Sequence, residues 1–172
     1  MFDSPRERPT PAPLDLDRIE VVWFDLDGTL IEVDMERFIP VYLRRLADRL
    51  SPHAEPPRAL HALRAATLAM LGETDGACSL EELLRSLLAD RLQLPWESYQ
   101  AALAAFCRED LPELRPLVRA HPLARAMVEG CLARGWRVVL ATNPIFPREL
   151  VEARLAWAGL ADLPFEPITS YE

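Results

Sequence analysis

Asp25 and Asp27 stand one residue apart in the stretch V-V-W-F-D-L-D-G-T-L, residues 21 to 30, directly after four apolar residues and before Gly28. Alternate residues of an extended chain point the same way. Both carboxylates can therefore face one site, where their repulsion favours a bound divalent cation or an uneven sharing of protons. The four residues before them, two β-branched and two aromatic, predict a strand buried on both faces, as in a parallel sheet. Ligands of open α/β sheets bind at the C-terminal ends of such strands, which is where these aspartates lie. A D-x-D-G tetrad also suits a turn that caps a strand or a piece of a calcium loop. The strand before it and the T-L after it favour a catalytic layout.

A second buried strand is predicted over Trp136 to Ala141. Pro122 and Gly135 bracket the helix before it, and Pro147 and Gly159 the helix after it, with each proline at the favoured first position. Thr142 and Asn143 thus occupy a strand end followed by a helix start, where a hydroxyl and free backbone N–H groups can meet an anion. Asn143 is the chain's one asparagine. Shaping the turn is its alternative role, and the two roles are compatible.

The run F-D-L-D-G-T-L, Phe24 to Leu30, resembles the first motif of the haloacid dehalogenase superfamily, and V-V-L-A-T-N-P, Val138 to Pro144, resembles its second. Carried over residue by residue, the resemblance implies that Asp25 is a nucleophile that takes a phosphoryl group as an aspartyl phosphate. Asp27 would protonate the leaving oxygen and then activate water. The resemblance also implies Mg²⁺, held by the Asp25 side chain, the Asp27 backbone carbonyl and a downstream acidic residue. Thr142 matches the hydroxyl that bonds the transferring group, with the Asn143 backbone N–H beside it. A carboxylate attacking a phosphate dianion is like-charge chemistry, so a metal and fixed donors must offset the repulsion. Dehalogenases of the superfamily lack the second aspartate, so Asp27 favours phosphatase chemistry. The branch that forms a Schiff base through a lysine is excluded, because the chain has none.

Phosphatases of this kind also carry a third motif, a lysine, and a fourth, an acidic pair that completes the metal site. Neither occurs here. Ile168 to Ser170 resembles the family's third core strand, which normally precedes both, and the chain stops at Glu172. The expectation is a fragment with weak metal binding and little turnover. A short relative that uses other residues is the alternative.

All 19 basic residues are arginine, set against 27 acidic ones, for a net charge of -8. That balance argues against nonspecific nucleic-acid binding. Cys78, Cys107 and Cys131 lack metal-ligand spacing and read as buried or inert reduced thiols. His53, His61 and His121 are scattered. The first residues, M-F-D-S-P-R-E-R-P-T-P-A-P, have no apolar core, so they read as a flexible leader and not as a signal peptide or membrane anchor. A cytoplasmic location is expected.

From Asp34 to about Val118 the pattern is helical, without a convincing strand. Phe38, Tyr42, Leu46 and Leu50 recur at spacing four, although Pro40 limits how early that helix begins. Pro57 opens a second helix bearing Leu60, Leu63 and Met70. Ser79 and Glu82 form a capping-box pattern for a third, and Pro95 precedes a fourth with Tyr99, Leu103 and Phe106. Four such stripes can bury one another as a bundle, similar to the helical cap of one branch of the superfamily. Arg37, Tyr42 and Arg45 are candidate substrate contacts, although helix arginines more often lie on a solvated face.

The expected fold is α/β, a Rossmann-like parallel sheet core, incomplete at its C-terminal end, with an α-helical bundle cap. The leader spans 1–18, the core 19–33 and 119–172, and the cap 34–118. The expected function is Mg²⁺-dependent hydrolysis of a small phosphate ester. A noncatalytic phosphate-binding pseudoenzyme and a phosphomutase remain as alternatives. The expected partner is a small phosphorylated metabolite, with no nucleic acid and no membrane. If the family's strand beside the first strand is missing, Val21 to Phe24 becomes an apolar edge that favours homodimerisation or strand exchange.

Overall fold

The computed structural model describes residues 15–73 and 76–172; the leader expected over residues 1–18 lies mostly outside them. Strand β1 (Val21–Phe24) is followed by β2 (Ile31–Val33), then by helices α1 (Met35–Arg49), α2 (Pro56–Gly72), α3 (Leu80–Leu92) and α4 (Trp96–Glu109). A 3₁₀ segment, Leu111–Leu117, leads into β3 (Val118–Ala120), and α5 (Ala124–Leu132), β4 (Arg137–Leu140), α6 (Arg148–Trp157) and β5 (Phe165–Ile168) complete the order. The main sheet is parallel with order β1-β4-β5, and Phe24 is opposite Leu140. This is a Rossmann-like α/β core carrying a helical bundle.

Strand β1 has a neighbour on one side only among the described residues, and none of its four residues is fully buried, so its expected burial on both faces is not realised. Trp23 is 71% exposed. Apolar letters cannot distinguish an edge strand from a central one, because the difference lies in a neighbour distant in sequence. Among the described residues strand β5 is the opposite edge, the position in which a sheet tolerates the missing N–H of Pro167. It also begins earlier than Ile168, because Phe165 is the residue that reaches the core.

The short antiparallel ribbon of β2 and β3 has no counterpart in the sequence reading. It pairs Glu32 with Arg119 where the chain leaves and re-enters the α/β layer. Opposite charges directly across two strands favour that register. The four helices lie between these crossings. Helix α1 starts at Met35, five residues before Pro40, correcting the expectation that the proline delays it. The Asp34 carboxylate accepts the Arg37 N–H at 3.2 Å. This cap, together with burial of Phe38, Tyr42, Leu43 and Leu46, offsets the one helical bond that Pro40 cannot donate.

Helix α3 opens on the expected capping box: Ser79 Oγ accepts from Glu82 N–H at 3.2 Å, and Glu82 Oε2 accepts from Ser79 N–H at 2.8 Å. Pro56 and Pro57 occupy the first turn of α2. Pro122 and Pro147 sit just before their helices, not at the first position, since Leu123 and Pro147 are the N-caps. The hydrophobic core is continuous, running from Leu26 in the β1 turn through Phe38 and Phe106 to Leu150 and Tyr171. Leu46 is fully buried within it. Leu46→Ala is expected to cost about 2–5 kcal/mol through lost burial and a residual cavity, read from chemical denaturation. A loss below about 1 kcal/mol would mean that α1 does not pack as described.

Candidate active site

The turn after β1 presents the two aspartates. Leu26 is fully buried and anchors the turn, and its carbonyl accepts from the N–H groups of Thr29, Leu30 and Ile31 at 3.2, 3.0 and 3.0 Å. Gly28 completes the reversal at φ +84°, a left-handed conformation that side chains disfavour. Asp25 is left exposed, with the Thr29 hydroxyl 3.4 Å from its Oδ2. Asp27 is half-buried.

The N–H of Ala141 donates to the Phe24 carbonyl at 2.8 Å, which brings the end of β4 beside the end of β1. Thr142 follows and is buried, its hydroxyl close enough to Asp27 to help hold that carboxyl down. Its carbonyl accepts from the Thr169 hydroxyl at 2.6 Å, so the segment after β5 also braces the site. Asp25, Asp27 and Thr142 thus converge at the C-terminal edge of the sheet. Asn143 is exposed on the adjoining turn, where its carbonyl accepts the Ile145 N–H.

Sequence reasoning missed Arg154. Its Nη1 lies 2.7 and 2.8 Å from the two Asp27 oxygens, and its side chain is fully buried. Cζ sits 4.4 Å from the Phe146 ring centroid and 5.7 Å from that of Phe38. Burial pushes the Asp27 carboxyl up, against the pull of Arg154 and with the help of the Asp25 charge. The same burial lowers Arg154, which nevertheless stays protonated because guanidinium is so strong a base. The available signal was positional: Arg154 shares a face of α6 with Leu150 and Val151, yet an arginine on a helix ordinarily reads as surface.

The other candidates lie elsewhere. Arg45 pairs with Glu113 at 2.5 Å and Asp110 at 3.8 Å, and Arg49 with Glu109 and Asp110 at 2.5 and 2.6 Å, tying α1 to the end of α4. Tyr42 is buried, its ring 5.3 Å from Phe106 and 5.8 Å from Phe146. Arg37 is exposed. Cys78 is exposed rather than buried, Cys107 and Cys131 are half-buried, and all three are unpaired. Burial pushes the Cys107 thiol up to about 11, away from thiolate chemistry. A cleft of about 570 Å³ between α4 and α6 is lined by Trp96, Tyr99, Glu149 and Tyr171 and does not include the aspartates.

Among the described residues no group of three or more His, Cys, Asp or Glu could hold a metal ion. The hard oxygen donors present are the Asp25 carboxylate and the carbonyl of Asp27, whose own carboxylate is engaged by Arg154 and Thr142. A Mg²⁺ ion accepts one or two protein oxygens when water or phosphate completes its shell, so this partial set fits it. Among the described residues no helix is long and apolar enough to cross a membrane.

No family model and no curated protein matches the chain. Solved structures similar to it include a "predicted phosphoglycolate phosphatase" from Haemophilus somnus 129PT (19% identity, TM-score 0.45, covering 90% of this chain and 63% of that one). Another is an HAD phosphatase from Thermococcus onnurineus (19%, TM-score 0.43, covering 86% and 60%). A third is L-2-haloacid dehalogenase from Xanthobacter autotrophicus (22%, TM-score 0.38, covering 88% and 56%). The chain spans 56–63% of the length of these three structures. Its own strand order gives the chain a Rossmann-like α/β fold, with Asp25 and Asp27 at the end of β1 and Thr142 at the end of β4 beside it.

Proposed function

We propose that the chain belongs to a Mg²⁺-dependent phosphohydrolase of the haloacid dehalogenase type that acts on a small phosphate ester in the cytoplasm. The observation that carries this reading is the convergence of Asp25, Asp27 and the Thr142 hydroxyl at the ends of two paired parallel strands. Asp25, exposed at the mouth, attacks phosphorus and becomes an aspartyl phosphate as the ester oxygen leaves. Asp27 gives that oxygen a proton and later removes one from the water that hydrolyses the intermediate. Burial raises the Asp27 carboxyl, which favours its holding a proton more than a solvated aspartate does. Thr142 and the Asn143 N–H hold the phosphoryl oxygens. The Asp25 carboxylate and the Asp27 carbonyl would hold Mg²⁺, which when bound would neutralise charge on the phosphate. Residues 34–118 act as the cap that selects the ester.

The rate of the 172-residue chain is expected to be low. Each missing preorganised charge-stabilising group typically costs roughly 10²- to 10³-fold, and the described residues provide neither a lysine nor a third acidic metal ligand. With p-nitrophenyl phosphate and Mg²⁺, turnover should fall far below the enzyme median of about 10 per second. A rate near that median would show that other residues replace the missing groups. Phosphate binding with no Mg²⁺-dependent turnover would favour the noncatalytic reading, for which the lack of a cluster of three acidic ligands among the described residues is the supporting observation. Transfer to a sugar phosphate instead of water would identify a mutase.

We further propose that copies of the chain associate through β1, by pairing or by exchange of elements. The edge, unpaired among the described residues, and the exposed Trp23 support this, because free strand edges recruit other strands. Light scattering after size exclusion should show a dimer. A monomer with strong hydrogen-exchange protection over Val21–Phe24 would mean that the edge is covered within one chain.

A further inference from the structure

Of the arginines in the described residues, Arg154 alone is fully buried, and its position is determined on several sides. Nε donates to the Leu150 carbonyl one turn back at 3.3 Å, Nη1 reaches both Asp27 oxygens, and the Phe146 and Phe38 rings flank the guanidinium. Nη2 is buried without a hydrogen-bond partner. An apolar side chain of similar volume would fill the place without desolvating a cation, so stability alone does not account for an arginine here. Because the terminal nitrogens are sealed from solvent, Arg154 meets the site only through Asp27.

We propose that Arg154 is a positioning residue for phosphoryl transfer: from behind the paired aspartates it fixes the Asp27 carboxylate beside Thr142, at the place from which Asp27 exchanges a proton with the substrate. This rests on the phosphohydrolase reading above. Each carboxylate oxygen has two lone-pair sites, so the contacts with Arg154 and Thr142 leave acceptor capacity facing the mouth. The planar fork of arginine sets an orientation that a lysine's point charge does not.

The test is steady-state kinetics with Mg²⁺ and p-nitrophenyl phosphate on the full chain and its Arg154→Met and Arg154→Lys variants, with Asp25→Asn as blank. Assays are run where circular dichroism shows each variant folded. Arg154→Met should lower kcat roughly 10- to 100-fold, as loss of a residue that orients a site group typically does, with KM almost unchanged. Arg154→Lys should recover part of the loss. A folded Arg154→Met with kcat within about twofold of the parent, or with a raised KM at unchanged kcat, overturns the proposal and leaves the phosphohydrolase reading standing. If Arg154→Met does not fold, Arg154→Lys decides: parental kcat overturns the proposal and a lowered kcat at parental KM supports it. A parent chain no faster than the Asp25→Asn blank overturns the phosphohydrolase reading, and the proposal with it.

Discussion

Asp25→Asn will reduce Mg²⁺-dependent phosphate-ester hydrolysis to the rate of a protein-free blank while leaving the fold intact. The carboxylate is exposed at the end of β1, and its one hydrogen bond is a long 3.4 Å contact from the neighbouring Thr29 hydroxyl. An amide of the same shape fits that position. It also removes one of two like charges held close together. Stability should therefore change by no more than about 0.5 kcal/mol, as for ordinary surface substitutions. Activity should behave differently, because an amide cannot form the acyl phosphate. Loss of a nucleophile typically costs ~10³-fold or more. Rate and denaturation midpoint measured on one preparation separate the two effects. Retained turnover with an intact fold would remove Asp25 as nucleophile and shift the balance to another group in the site.

Arg154→Met should cost stability as well as rate. The substitution leaves Asp27 half-buried with Thr142 as its remaining side-chain partner and no cation, and breaking a buried pair from one side costs about 3–5 kcal/mol. Because the Asp27 side chain keeps 19% of its exposure, the lower part of that range is expected. In a chain of this size each kcal/mol moves the midpoint by about 2–4 °C, so heat denaturation resolves the loss easily. The double variant Asp27→Asn/Arg154→Met should be less destabilised than the sum of the single changes, since removing both charges together leaves neither stranded. Simple additivity would show that the two side chains do not interact in solution.

Much of the candidate site's geometry was legible in the sequence because it is local. Asp25, Leu26, Asp27 and Gly28 form one turn, and the spacing of carboxylate, buried anchor and left-handed glycine is written in consecutive letters. The stripes of α1 to α4 and the Ser79–Glu82 box were readable for the same reason, as periodicity and capping act over three to seven residues. Pro40 misled because a local penalty of one lost bond is small beside the burial of Phe38, Tyr42 and Leu46, which depends on distant partners. The closing residues Tyr171 and Glu172, to which no role was assigned, pack at the start of α6. There the Glu172 carboxylate accepts the Arg148 N–H at 3.1 and 3.2 Å, capping a helix whose N-cap residue, Pro147, has no side-chain acceptor.

The sequence by itself determined the chemical types available, two carboxylates and a hydroxyl following apolar strands, and the alternation of strand and helix that makes an α/β layer. Only the tertiary structure decided which strand is an edge, that β2 and β3 pair across the helical insertion, and that the cation beside Asp27 comes from α6, 127 residues further along the chain. The physical reason is range. Turns, caps and amphipathic faces are set by neighbours a few bonds away. The pairing of a buried charge, and the exposure of an apolar strand, depend on which distant surfaces meet when the core closes.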